Sequence, residues 1–327
     1  MQASEKEKNF YGPNIKIIKK KEGCTVYRMM TPGGEGVMTS HMVFPGIELV
    51  YNDFHTSSCF HNIYPKGEIM EINHCRAGRF ECEFRGGSYG YLGEGDLSVN
   101  MLSNHVINSS FPLDHYHGVA VIIDFTEASQ GLLSFLDDIS INLYLLRDRL
   151  CPDNRCFIMR AKEEIQHIFS ELYTVPEEIR KGYFKLKILE LLLFLSVADI
   201  PRQSEPDKYF TKNQVETVKE IKKYITNNMD KRITLTELSS KFGIGLTTMK
   251  LCFKRVYGTS ISAYIKYYRM QAAALLLRQS NDSVMHIAAK AGYENSSKFA
   301  AAFKEIMGIP PLKFRKNLSL FNGGKET

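Results

Sequence analysis

Seven cysteines are scattered through 327 residues without a single C-x-x-C pair. An odd, unpaired set argues against a disulfide framework and for reduced thiols in a cytoplasm. No apolar run approaches the roughly 20 residues a membrane span needs. The richest, Leu191 to Val197 with Ile188 and Leu189 before it, is far shorter. The opening MQASEKEKNF is polar and lacks an apolar core, so no secretory signal is expected. Enzymatic signatures are also missing. There is no G-x-S-x-G and no phosphate-cradling glycine loop. Cys75 follows His74 directly, but adjacency in sequence does not make a nucleophile. Cys24, Cys59, Cys75 and Cys82 are too irregularly spaced for a four-cysteine zinc site. These absences lead to the expectation of a cytoplasmic protein that is not an enzyme, uses no cofactor and has no membrane contact.

The length suits two ordinary domains, and 44% hydrophobic with 24% charged residues suits a globular chain. The net charge of +6 is unevenly placed. Thr211 to Asn317 holds 19 Lys+Arg against 7 Asp+Glu, leaving 23 of the 42 basic and 29 of the 36 acidic residues elsewhere. One segment therefore carries the whole positive excess, the footprint expected for phosphate-backbone binding.

Residues 1–125 read as strands and turns. Gly33-Gly34, Gly86-Gly87 and Gly93-Glu94-Gly95-Asp96 punctuate short runs at Ile47–Tyr51, Ile69–His74, Phe80–Phe84 and Val119–Phe125. From Ser129 the period becomes helical, through Leu132, Leu133, Phe135, Leu136, Ile139, Leu143 and Leu146. A second helix is expected from about Met159 to Tyr173. A third is expected to begin at Pro176 and to be apolar on nearly all sides, hence buried against the β-rich part or a second subunit. DIPRQSEPDKYFTKN, residues 199–213, reads as a linker. The domain reading is 1–128 β-rich, 129–200 a helical connector, 201–213 a linker, 214–317 a basic helical domain, and 318–327 a flexible tail.

The basic segment contains one design twice. LSSKFGIGLTTMKLCFKRVYG occupies residues 238–258 and IAAKAGYENSSKFAAAFKEIMG residues 287–308. Each has an aliphatic opener, two small residues, a lysine and a glycine, and closes on Phe-Lys, three residues and Gly. In the first copy, Thr236 is expected to cap a helix ending at Phe242, with Ser239 and Ser240 at a close helix crossing. Gly243 turns the chain, and a second helix runs from about Gly245 to Tyr257 with Met249, Cys252, Phe253 and Val256 inward. Gly258 ends it. In the second copy, His286 to Ala291 form a helix with Ala288 and Ala289 at the crossing, and Gly292 turns the chain. Asn295 caps Ser296 to Met307, Phe299 and Phe303 face inward, and Gly308 stops the helix. Two such helix pairs are helix-turn-helix units, at about 236–257 and 285–307. ISAYIKYYRMQAAALLLRQS joins them as one helix about 27 Å long, against about 34 Å between adjacent major grooves on one DNA face.

Taken in order, LSSKFG, FKRVYG, YIKYYRMQAAALLL, IAAKAGY and FKEIMGIPPLKFR resemble the DNA-binding domain of the AraC/XylS transcription regulators, from about Val218 to Arg315. The resemblance implies seven helices, two helix-turn-helix units and double-stranded promoter DNA as a partner. It also implies contact with RNA polymerase, activation as the commoner outcome, and a homodimer. Its DNA-binding positions fall here on Thr247, Thr248, Lys250, Leu251 and Lys254 in the first copy. In the second they fall on Asn295, Ser296, Ser297, Lys298, Ala301 and Lys304. Lys250 suits guanine O6/N7, Thr247 a thymine methyl or base edge, and Lys254 a phosphate. Ala300, Ala301 and Ala302 offer no hydrogen bonds, so the second copy is expected to read mostly backbone and shape.

GEGDLSVNMLSNHVI, residues 93–107, is similar to part of the cupin-type β-barrel motif of sensor domains in the same family. IMEINHCRAGRFECEF with YLGEGDLSVN is similar to its siderophore-responsive branch. The fold expected is α+β, a cupin-like β-barrel sensor with helical connectors, followed by an all-α domain. A small-molecule effector is expected at His74, Arg76, Arg79 and His105, with the two guanidiniums suited to an anionic group. The alternative is a metal-dependent cupin enzyme with an accessory DNA-binding domain. It weakens because Arg76 stands where an H-x-H beginning at His74 needs histidine. Glu81 is a possible carboxylate ligand, and the H-x-H at His115 and His117 follows the motif's closing His105.

Overall fold

A computed structural model describes residues 2–31, 33–57, 67–84, 89–103, 106–131, 141–152, 156–198 and 210–322. The chain divides into two compact units, Met1–Tyr209 and Phe210–Thr327. No helix among the described residues is long and apolar enough to cross a membrane.

The first unit opens with α1 (Glu5–Tyr11), whose Ser4 and Glu7 form a reciprocal capping box. A meander follows of β1 (Ile15–Lys21), β2 (Cys24–Thr31), β3 (Gly34–Phe44) and β4 (Ile47–His55). Next come β5 (Ile69–Gly78), β6 (Phe80–Phe84), β7 (Tyr89–Leu92), β8 (Leu97–Met101), β9 (Val106–Ser110) and β10 (Tyr116–Asp124). The helices α2 (Phe125–Gly131) and α3 (Leu143–Leu150), strand β11 (Phe157–Met159), and helices α4 (Glu163–Leu172) and α5 (Arg180–Val197) complete the unit. Eight strands form an open sheet in the order β1-β2-β3-β4-β10-β5-β8-β11, and β7-β6-β9 form a smaller one. Ladder partners run antiparallel.

Alternation along the central strands builds two cores. Ile47, Leu49, Ile72, Val119, Val121 and Ile123 pack with Ile165, Phe169, Ile188 and Leu191 of α4 and α5. Val50, Phe54, Cys75, Tyr116, Ala120 and Ile122 join a second cluster with Leu92, Phe111 and α1's Tyr11. Both faces of the large sheet are thus covered.

The connector helices correct the sequence reading. Met159 ends a strand paired with β8, and the helix expected from it begins only at Glu163. Pro176 precedes the turn at residues 177–179 that leads into α5. α5 is not buried all round, because Leu186, Leu193 and Val197 are exposed, as is its N-cap Ile179. Its Lys187 reaches Glu171 and Glu190 at 2.5 and 2.7 Å. The helical run expected at Leu132, Leu133, Phe135, Leu136 and Ile139 lies outside the described residues, as do Cys59, His105 and most of the expected linker.

The second unit contains seven helices among the described residues: α6 (Lys212–Asn227), α7 (Leu235–Phe242), α8 (Leu246–Tyr257), α9 (Ile261–Gln279), α10 (Val284–Lys290), α11 (Ser296–Met307) and α12 (Pro311–Asn322). The last stretch of the expected linker is already structured, since Thr211 and Gln214 cap α6 reciprocally.

Candidate nucleic-acid interface

α7 begins two residues earlier than expected. Thr234, not Thr236, is its N-cap, and Glu237 closes a capping box on it. Gly243 then adopts the left-handed conformation at φ 60 and passes the chain to α8. α8 buries Met249, Cys252, Phe253, Val256 and Tyr257, and the Cys252 thiol donates to the Gln214 carbonyl of α6 at 3.6 Å. This packing leaves Thr247, Lys250, Leu251 and Lys254 exposed and Thr248 half-buried. Gly245 caps α8 without a side-chain hydrogen bond. The first amides of α8 are therefore open to an anion such as a DNA phosphate. This feature was not singled out in the sequence, although a glycine just ahead of the reader helix is its visible mark.

The second pair has the same plan with different ends. Ser283 caps α10, which starts two residues before His286. Only one small residue of each expected crossing turns inward. Ala288 is buried and Ser239 half-buried, whereas Ala289 and Ser240 are exposed. Gly292 turns the chain at φ 73. Asn295 Oδ1 accepts from the Ser297 and Lys298 amides at 2.9 and 3.0 Å. That oxygen is committed to the cap, leaving only the amide nitrogen for a partner. Ser296, Ser297, Lys298, Ala301 and Lys304 are exposed. Ala302 belongs to the core with Phe299 and Phe303, so only part of the alanine run faces outward.

α9 serves both pairs. Tyr264 packs edge-on against Phe253 of α8. Met270, Ala273, Ala274 and Leu277 enter the core of α10 and α11. Lys266 meets Glu305 of α11 at 2.5 Å. The Arg269 guanidinium donates to the Lys231 carbonyl at 2.6 Å.

The residues expected to hold an effector are placed differently. His74 stacks on Phe169 with centroids 4.1 Å apart, and Arg76 lies 4.0 Å from the ring centre of Tyr173, so both face the α4 side of β5. Arg79 instead approaches the Tyr91 ring of β7. Asp96, from the cupin-like stretch, accepts from the Gly93 amide at 2.9 Å, the Arg160 guanidinium at 2.7 Å and the Ala161 amide at 3.1 Å. It anchors the start of β8.

Residues 238–317 match the family profile described as "Helix-turn-helix domain". The multiple antibiotic resistance protein MarA of Escherichia coli (strain K12) is 27% identical over 99 residues, 30% of this chain and 78% of that protein. The HTH-type transcriptional activator RhaS of Mannheimia succiniciproducens is 24% identical over 228 residues, 64% of this chain and 82% of that protein. These matches support an AraC/XylS family transcription regulator, and the family profile itself covers the helical unit. A probable AraC family transcriptional regulator from Rhodopseudomonas palustris has a solved structure. It is 27% identical, with 32% of this chain and 97% of that chain covered and a TM-score of 0.29. The helix-turn-helix match supports DNA binding by the helical unit. The RhaS match is longer than the helical unit, so it extends into the N-terminal unit as well.

Proposed function

We propose that each chain reads two neighbouring major grooves, through two helix-turn-helix units whose second helices are α8 and α11. The observation that carries this reading is the shared orientation of the two helices. Each buries its Phe-bearing face toward α9 and leaves its hydroxyl- and lysine-bearing face open. Lys250 and Thr247 are the base readers, Lys254 and the uncapped start of α8 hold phosphate, and α11 adds backbone and shape contacts. Selection of binding fragments from genomic DNA, followed by footprinting, tests this. Two protected major-groove segments about one helical turn apart are expected. Equal binding of all fragments at moderate salt would overturn it.

The remaining roles follow the same family reading. The N-terminal unit is a cupin-like sensor, and its effector acts by binding DNA-competent and incompetent arrangements unequally. A polar effector suits the positions expected from sequence and also the opposite face of β5 and β8, which carries Glu71, Asn73 and Asn100. Support comes from Tyr116 donating to Asn73 at 2.7 Å and from Glu71 lying opposite Asn100. The relative named a transcriptional activator supports activation, which this reading routes through RNA polymerase in the cytoplasm. The seven-residue spacing of exposed Ile179, Leu186 and Leu193 supports a homodimer built on α5.

A further inference from the structure

The register of the large sheet brings together three side chains that lie far apart in sequence. β10 pairs antiparallel with β4 and sets His117 directly opposite Asp53. His55 is two residues beyond Asp53, hence on the same face of β4. Asp53 Oδ1 lies 3.0 Å from His117 Nδ1 and 3.1 Å from His55 Nε2. The donor atoms of all three lie within 4.8 Å of one another. We infer that Asp53, His55 and His117 form a binding site for one divalent first-row transition-metal ion of the zinc class, held by two imidazoles and a carboxylate.

Donor chemistry and spacing both fit. Imidazole and carboxylate are the ordinary nitrogen and oxygen ligands of zinc, with bonds of about 2.0–2.2 Å. Tetrahedral bonds of that length separate neighbouring donors by about 3.3 Å. The two Asp53–imidazole separations therefore need to open by only a few tenths of an ångström. The ion replaces the two hydrogen bonds that now join these groups. Each ligating nitrogen gives up its proton to the other ring nitrogen or to solvent.

The setting favours a real site. β4 and β10 are interior strands of an eight-stranded sheet, which holds the donors in place. The imidazoles meet at 72° with centroids 5.1 Å apart, so they do not stack, and their donor atoms converge with the Asp53 carboxylate. Side-chain exposures of 63%, 56% and 33% for His55, Asp53 and His117 leave an entry path and an open coordination position. His115, whose ring centre is 6.0 Å from that of His117, donates from Nδ1 to the Leu113 carbonyl at 2.9 Å. That bond leaves its Nε2 lone pair free to serve as a further donor. The neighbouring Arg76 opposes a cation. Its guanidinium is drawn over the Tyr173 ring, and the Asp53 carboxylate supplies the compensating charge.

Equilibrium dialysis of the full chain against zinc chloride, read by elemental analysis, tests the site. One ion per chain is expected. His55→Ala and His117→Ala should each weaken binding roughly tenfold or more, since losing even an outer-shell partner costs that much. Cys24→Ser should leave binding unchanged. Cobalt(II) should give ligand-field bands with no thiolate charge-transfer band. Zinc-free melting curves report whether the variants fold. If an alanine variant does not, zinc protection of wild-type histidines from diethyl pyrocarbonate takes its place. The inference is overturned by zinc retention no higher than in chelator-treated protein, by a His55→Ala/His117→Ala double variant that binds as wild type, or by a thiolate band. DNA binding plays no part in these readouts.

Discussion

Gly292 lies against the guanidinium of Arg269. A Cβ built on Gly292 would sit 2.8 Å from Arg269 Cζ and equally close to the Met229 carbonyl oxygen, at a φ of 73. Gly243, at the corresponding turn of the first pair, has nothing within 4 Å of its Cβ position. Gly292→Ala should therefore cost more than the left-handed strain of about 1–3 kcal/mol, and Gly243→Ala no more than that strain. Thermal melts of the two variants check the order. Equal losses would mean that Arg269 and the Met229 carbonyl yield freely.

Lys250 and Lys254 are both exposed on α8, one turn apart. Lys250→Ala should relax preference at one base position and cost about 1–3 kcal/mol on the best site. Lys254→Ala should weaken all sequences alike and flatten the salt slope by about one. Binding titrations at several salt concentrations, on a specific and a scrambled duplex, separate the two. Identical behaviour would remove the division between reader and positioner.

The exposed row on α5 predicts a loss of assembly without a loss of fold. Leu186 and Leu193 are 65% and 40% exposed, while Ile188, Leu191, Leu192 and Leu195 hold the helix to the sheet. Leu186→Glu with Leu193→Glu should shift a dimer to monomer in sedimentation and leave the melting temperature of the N-terminal unit within a few degrees. A wild-type chain that sediments as a monomer at all concentrations would contradict the pairing.

His74 and Glu71 give opposing pH dependences. Burial pushes His74 down to about 4 from an ordinary 6.5, although Asp96 pulls the other way. Neither of its ring nitrogens meets a hydrogen-bond partner among the described residues. The unfolded chain binds this proton more readily, so the contribution is present above 6.5 and lost as pH falls toward 4. Burial raises Glu71 to about 7 from 4.5, against a hydrogen bond from Asn100. Its contribution is present at acid pH and lost as pH rises from 4.5 to 7. His74→Phe should leave stability falling with pH between 4.5 and 6.5, by on the order of 1–3 kcal/mol. Glu71→Gln should leave it rising. Denaturant titrations across this range, followed by circular dichroism, check the signs.

The helical unit was legible because its punctuation is local. Gly258 and Gly308 end α8 and α11 at φ 76 and 77, and the buried residues of both helices match the sequence period. Two threonines near the start of α7 suit an N-cap, and Thr234 takes the role over Thr236 because Glu237 stands at capping-box spacing from it. The N-terminal unit was less legible. β11 is three residues long and exists by pairing with β8, which no local pattern records. The side of β5 that carries His74 and Arg76 was hidden for a related reason. Alternation separates them from Asn73 and Cys75, but only the tertiary partners decide which set meets the helices. The meeting of Asp53 with His117 depends wholly on register between strands distant in the chain.

α9 is a wall common to two rooms. Its first turns close the core around Phe253, and its later turns close the core around Phe299 and Phe303. Neither helix pair can lose this helix without exposing the apolar floor of the other. The basic unit should therefore melt in one cooperative step, and damage to either pair should be felt at once by its twin.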